Sequence, residues 1–267
     1  MQIGFNFTMG ATIPIVRQLY RERHIDYCEL LTDNFLHVDP DAIARAFDCP
    51  VAFHIMLSRF LENDRNFLSG FAAQIRRYAA VLRPLYVSDH LARFTHKGRQ
   101  LYHLAELDYR DADWIIPKVA WWQEELGCRL YLENFPSIMD DGLDAPTFFA
   151  RMTEKTGVGL LFDVSNAVCA QRNCGADLDA WAALGSTTNH FHVAGFGPSL
   201  CDPRVTLDTH DRAMADDTRA FLRQCGVAFD KPGATITYER DADIEFEPIA
   251  TEVQVLRGMF AKEGLAA

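Results

Sequence analysis

Eight short runs rich in β-branched, aliphatic and aromatic residues recur along this chain, and longer segments with helical periodicity separate them. The runs are Gln2–Phe7, Asp26–Leu31, Pro50–Ile55, Leu85–Asp89, Arg129–Glu133, Gly159–Asp163, His190–Val193 and Thr235–Glu239. Between and after them the pattern predicts helices near Ile13–Glu22, Pro40–Phe47, Arg65–Leu82, Tyr109–Leu126, Ala145–Thr156, Leu178–Leu184, Asp211–Gln224 and Pro248–Phe260. Asp39-Pro40 and Ala145-Pro146 suit helix starts, and Gly127 and Gly157 suit helix stops. Eight β/α alternations in 267 residues match an α/β chain closed as a (β/α)8 TIM barrel. A doubly wound open sheet is the alternative, but no G-x-G-x-x-G follows the first run. No linker or low-complexity tract interrupts the rhythm, which favours a single domain over residues 1–267. The connection Arg93–Glu106, with His96 and His103, is long and is expected to fold over the barrel mouth.

Composition narrows the function classes. A net charge of −11 argues against a broad nucleic-acid-binding face, which needs a basic surplus. No apolar stretch is long enough to span a membrane, and the first residues lack the charged start and apolar run of a signal peptide. The seven cysteines form no C-x-x-C pair, so neither a thiolate zinc site nor a thioredoxin-type motif is supported. A reduced, cytoplasmic protein is expected.

Position within the runs carries the chemistry. PVAFHI ends in His54, LYVSDH in His90, RLYLEN in Glu133-Asn134, and TITYER carries Glu239. GLLFDVSN supplies Asp163 and Asn166, HFHVAG supplies His192, and Asp208-Thr-His210 follow the seventh run. The second run closes on Leu31-Thr-Asp33-Asn34. In a barrel the C-terminal strand ends form the active-site face, and period-two alternation aims these side chains inward together. A strand-end histidine alone is usually structural, and His190, one layer deeper, is expected to be a core residue. Four imidazoles and four carboxylates around one cavity are different. Without cations the carboxylates would repel and their pKa values would rise. Imidazole with carboxylate suits iron, manganese, zinc or cobalt, and the number of ligands suits two or three ions with a bridging carboxylate. A divalent-metal isomerase or phosphodiesterase on the same barrel is an alternative, although no lysine ends a strand. So is a metal-storing or peptide-binding module without turnover.

The segments FHI, VSDHL, YLENF, FDVSNA, FHVAG, DTHD and YERD, in this order, resemble the multinuclear non-heme iron-dependent oxidative enzymes, which modify peptides. IGFNFTMG, ELLTDNF, CPVAFHIMLSRFLE and KPGATITYERD are most similar to the methanobactin-forming branch of that family. The resemblance implies a TIM barrel holding two or three iron ions, Fe(II)/Fe(III), with dioxygen as co-substrate. It implies a small partner subunit in a heterodimer and a precursor peptide with a leader. A peptide cysteine would be oxidised to an oxazolone with an adjacent thioamide. The resemblance places one iron near His54, His90 and Glu133, a second near Glu133, Asp163, His192 and Glu239, and a third near Asn166, Asp208 and His210. It implies catalytic roles for Glu133, Asp208 and His210 and cofactor-side roles for Asn34, Asn134 and Asn166. Asp33 and Ser165 depart from residues frequent in the family, beside the implied ligands.

Overall fold

The computed structural model describes residues 1–260 apart from Met9; the side chains of Ala11, Tyr102 and His103 lie outside the described residues. Eight parallel strands close into a barrel, each hydrogen-bonded to its chain neighbours and the first to the last. They are Gln2–Phe7, Tyr27–Leu31, Val51–Ile55, Val87–His90, Leu130–Glu133, Gly159–Asp163, His190–Ala194 and Thr235–Glu239. The third, sixth, seventh and eighth strands are buried at every position. That is the burial of a parallel strand covered on both faces, with helices outside and the barrel core inside.

The helices begin and end where side-chain chemistry supplies the missing backbone partners. Asp39 accepts from the amides of Asp41 and Ala42 ahead of Pro40–Ala46, and Asp64 accepts from Phe67 ahead of Arg65–Leu82. Gly127, Gly157 and Gly175 take left-handed conformations that close Ala112–Leu126, Ala145–Thr156 and Val164–Cys174. Trp122, Trp181, Phe149, Phe162, Phe191 and Phe229 are all buried and fill the layer between strands and helices.

The barrel interior is a separate, smaller cluster of Tyr27, Ala52, Tyr86 and Leu161, with Tyr131 against it. Two glycines make room for these rings. A Cβ at Gly4 would lie 2.2 Å from Tyr27 Cζ, and one at Gly159 would lie 2.1 Å from Tyr131 Cδ1. His190 belongs to this layer, its ring centroid 4.4 Å from those of both Tyr86 and Tyr131 and its Nδ1 2.9 Å from Thr235 Oγ1. Burial, with Arg129 nearby, pushes its imidazole down to about 4, so it stays neutral. This tyrosine layer is the floor on which the polar residues above it stand.

Three differences from the sequence pattern matter. Asp163 ends the sixth strand and at once caps a helix, Val164–Cys174, whose apolar start VSNAVCA reads as a continuation of the strand. The helix expected from Asp211 begins at Asp216. In the loop before it the Arg212 backbone packs on Gly195, where a Cβ would meet the Arg212 carbonyl oxygen at 2.0 Å. The connection after the fourth strand is an antiparallel hairpin, Arg93–His96 with Arg99–Ala105, and Leu104 from it lines the cavity at the mouth. His96 on that hairpin is exposed; the side chain of His103 lies outside the described residues.

Candidate metal centre

Seven polar side chains meet above the tyrosine floor because each is two residues on from an inward-facing neighbour. The steps run Tyr27 to Glu29, Ala52 to His54, Ser88 to His90, Tyr131 to Glu133, Leu161 to Asp163, His190 to His192 and Thr237 to Glu239. Glu29, His54, Glu133, Asp163, His192 and Glu239 are buried, and His90 is nearly so. Asp89, between Ser88 and His90, points the other way and accepts from the Trp122 indole at 2.9 Å.

Glu133 is central. Its Oε2 lies 3.5 Å from His54 Nε2 and 3.2 Å from His90 Nε2, and its Oε1 lies 3.1 Å from His192 Nδ1. His192 Nδ1 is also 3.2 Å from Glu239 Oε2. Ligand atoms lie within 4.8 Å of one another in each of three groups: His54, His90 and Glu133; Glu133, Asp163, His192 and Glu239; and Glu29, His54 and His192. Asp208 and His210 stand beside them as a pair, His210 Nε2 being 2.7 Å from Asp208 Oδ2 and 3.9 Å from Glu239 Oε2. Asn166 lines the same cavity.

Hydrogen bonds fix which ring nitrogens face the cluster. The Ile55 carbonyl can only accept, so His90 Nδ1, 3.1 Å away, carries the proton. Ser88 Oγ donates to the Phe53 carbonyl at 3.1 Å, so His54 Nδ1, 2.8 Å from that oxygen, donates to it. Both histidines therefore turn Nε2 toward Glu133, the nitrogen a metal ion would take there.

The electrostatics are those of a cation site. Burial, then Asp208, Glu133 and Glu239 nearby, holds the Asp163 carboxyl well above its usual range. Burial raises Glu239 too, whereas His192, His90 and His54 outweigh burial at Glu133 and hold it low. Burial disfavours a charged His192, but Glu239, Glu29 and Glu133 overcome that and raise it. Burial and His90 lower His54. Carboxylates this close need positive charge between them, and they raise His192 and His210 accordingly.

Buried oxygens without a hydrogen-bond partner supply the fit test. Glu29 Oε1, Asp163 Oδ2, Asn166 Oδ1 and Asp208 Oδ1 are all buried and unpartnered. Glu29, Asn166 and Asp208 line one cavity of about 670 Å3. Orphaned oxygens beside imidazole nitrogens are a mixed N/O donor set, which fits a first-row divalent ion.

Of the asparagines read from the sequence, Asn166 caps the site. Its amide nitrogen donates to Asp163 Oδ1 at 2.7 Å and its side chain to the Asn134 carbonyl at 3.0 Å. Asn134 also lines the cavity, but its side chain pairs with the Asp163 backbone in both directions at 2.8 Å, which holds Asp163 in place. Asn34 is exposed, donates to the Thr8 carbonyl and stands outside the cluster. Its neighbour Asp33 accepts from the amides of Met56 and Leu57 and so shapes the loop that follows His54. Glu29 is the residue the sequence reading passed over. The signal was present in the Tyr27-x-Glu29 step, but the more polar Thr32-Asp33-Asn34 after it drew attention to the strand end.

The chain is a TIM barrel with an imidazole–carboxylate cluster that could hold a metal ion at its C-terminal mouth, the active-site face of that fold. Residues 6–261 match the profile of the family described as RiPP precursor modification enzyme MbnB/TglH/ChrH, and the chain belongs to that family. It is thus an enzyme that modifies a ribosomally made peptide precursor. Among its relatives, a UPF0276 protein of Rhizorhabdus wittichii is 31% identical over 248 residues, 88% of this chain and 86% of that one. A UPF0276 protein of Chromobacterium violaceum is 30% identical, over 91% of this chain and 89% of that one. Among solved structures, a xylose isomerase-like TIM barrel protein from Mycobacterium smegmatis in complex with magnesium superposes with a TM-score of 0.60 at 17% identity, covering 94% and 90% of the chains. The 3-keto-D-glucoside 4-epimerase YcjR of E. coli gives 0.57 at 16% identity, covering 97% and 98%. These two likenesses concern the fold alone.

Proposed function

We propose that this enzyme oxidises cysteine in its precursor peptide, using two or three iron ions and dioxygen, to an oxazolone with a neighbouring thioamide, as in methanobactin biosynthesis. The observation that carries the reading is Glu133, whose two oxygens face two different ligand groups. A carboxylate so placed suits two ions side by side. His54, His90 and Glu133 would hold one, and Glu133, Asp163, His192 and Glu239 the other. Asn166, Asp208 and His210 would border a third. Iron held there would supply the affinity for a thiolate and the redox chemistry with dioxygen that the oxidation needs.

The chain's own residues do the rest. Leu31, Met56, Leu91, Leu104, Phe135 and Leu207 give the cavity an apolar wall that excludes water and takes the peptide backbone and its apolar side chains. Asp208, one oxygen unpartnered, would accept the peptide amide proton as the ring closes, and His210, 2.7 Å away, would pass that proton on. Removing four hydrogens from a cysteine and its preceding residue reduces one dioxygen to two waters, so the reaction balances without another oxidant. A small partner subunit would hold the peptide leader. All seven cysteines of this chain are free, in keeping with a reducing cytoplasm. The experiment is to supply the iron-loaded protein and partner with precursor peptide in air. Hydrogen loss at cysteine supports the reading; activity toward a sugar without oxygen consumption would replace it with an isomerase.

A further inference from the structure

Glu29 lies outside the ligand set proposed above, yet only 1% of its surface is exposed and it faces the cluster. Its Oε2 accepts from the Tyr86 hydroxyl and from Thr237 Oγ1 at 3.0 Å, and lies 2.9 Å from His192 Nε2. The hydroxyls are themselves held: Tyr27 Oη is 2.7 Å and Tyr86 Oη 3.1 Å from Thr237 Oγ1. Across the ring, His192 Nδ1 lies 3.1 Å from Glu133 Oε1 and 3.2 Å from Glu239 Oε2. His192 is fully buried.

We infer that Glu29 is a positioning residue. Its Oε2 accepts the Nε2–H of His192 and thereby aims the Nδ1 lone pair at the ion held with Glu133, Asp163 and Glu239. This rests on the reading that a metal sits among those residues. A metal-bound imidazole that donates its other N–H to a carboxylate is locked in one tautomer and made a better donor. The tyrosine floor then has a role beyond filling the barrel. Tyr27, Tyr86 and Thr237 hold the carboxylate that holds the histidine. A direct ligand role for Glu29 is the rival, because its ligand atoms also fall in a group with His54 and His192. Oε2 already has two hydroxyl donors and an imidazole around it, so an ion could be held only by the unpartnered Oε1, and the ion count in the Glu29 variants separates the two roles.

The test uses the full chain loaded anaerobically with Fe(II), and separately with Co(II) for its ligand-field spectrum. Metal stoichiometry, chelator-competition affinity and Tm are read for Glu29→Ala, Glu29→Gln and Tyr86→Phe. The inference expects Glu29→Ala to weaken the tightest site about 10–100-fold and shift the Co(II) spectrum, with the ion count kept at saturating metal. Glu29→Gln keeps an acceptor for Nε2–H and should recover most of that affinity; Tyr86→Phe, which removes one support, should fall between wild type and Glu29→Ala. Wild-type affinity and spectrum in Glu29→Ala overturn the inference, as does loss of one whole ion in both Glu29 variants. If Glu29→Ala does not fold, Glu29→Gln and Tyr86→Phe decide alone: equal loss of an ion in Glu29→Gln, or no change in Tyr86→Phe, overturns it. The metal readouts do not depend on peptide oxidation, so failure of the proposed reaction with this pattern intact is a distinct result.

Discussion

At the scale of single residues, Glu133 ties the site together, because it joins the group with His54 and His90 to the group with Asp163, His192 and Glu239. Replacing it with alanine should strip more bound iron than His90→Ala, which touches one group; elemental analysis of both variants after identical loading tests this. Loss of a shared ligand should weaken the remaining ions by on the order of a hundredfold or more, at the upper end of what even supporting residues cost. The same cluster makes the metal-free protein sensitive to pH. The raised Asp163, Glu239 and His192 keep protons in the folded state that the unfolded state releases. Stability of the metal-free form therefore falls as pH rises from the ordinary carboxylate range, about 4, through neutrality. Glu133, held low, contributes the opposite slope only below its ordinary range. Bound cations remove the penalty on the raised carboxylates and need them deprotonated. The Tm difference between metal-loaded and metal-free protein should thus widen between about pH 5 and pH 7. A constant or narrowing gap in paired thermal melts would speak against a cation at Asp163.

At the scale of elements, glycines set where strands and loops come close. Gly4→Ala or Gly159→Ala pushes a methyl into Tyr27 or Tyr131 and should cost about 1–3 kcal/mol in urea unfolding. Gly195→Ala meets backbone instead of a ring, at the Arg212 carbonyl, and His210 donates its amide to the Gly195 carbonyl at 2.9 Å. That variant should displace the Asp208–His210 pair and lower peptide turnover more than it lowers stability. Much of this architecture was legible in the sequence, because a buried parallel strand is a short apolar run and its polar terminus stands out. His54, Glu133 and Glu239 are visible for that reason. The helix from Val164 was not, since an apolar helix start after an apolar strand has no change of period to mark it. The helix expected from Asp211 starts at Asp216 instead, after a loop whose Arg212 backbone packs on Gly195, a contact that no local pattern encodes. Glu29 was readable by parity alone; what makes it informative, its approach to His192 across the barrel, is a contact 163 residues apart in the chain.

At the scale of the whole molecule, the barrel brings side chains from seven strands to one point, so ligand binding and fold stability are one equilibrium. Added Fe(II) should raise the Tm in a concentration-dependent way, by the equivalent of about 2.7 kcal/mol at a hundred times its Kd. The acidic excess has a partial cause here, because Glu29, Glu133, Asp163, Asp208 and Glu239 cluster at one mouth of the barrel and need cations between them. The central claim is that this mouth is an iron- and dioxygen-dependent peptide oxidase. Its most direct test is intact-mass analysis of the precursor peptide incubated with the iron-loaded protein, its partner subunit and air, with dioxygen consumption followed in parallel. The expected result is loss of four hydrogens per modified cysteine, one dioxygen consumed for each, and neither change without iron. An unchanged peptide mass with a fully iron-loaded, folded protein and partner would contradict it.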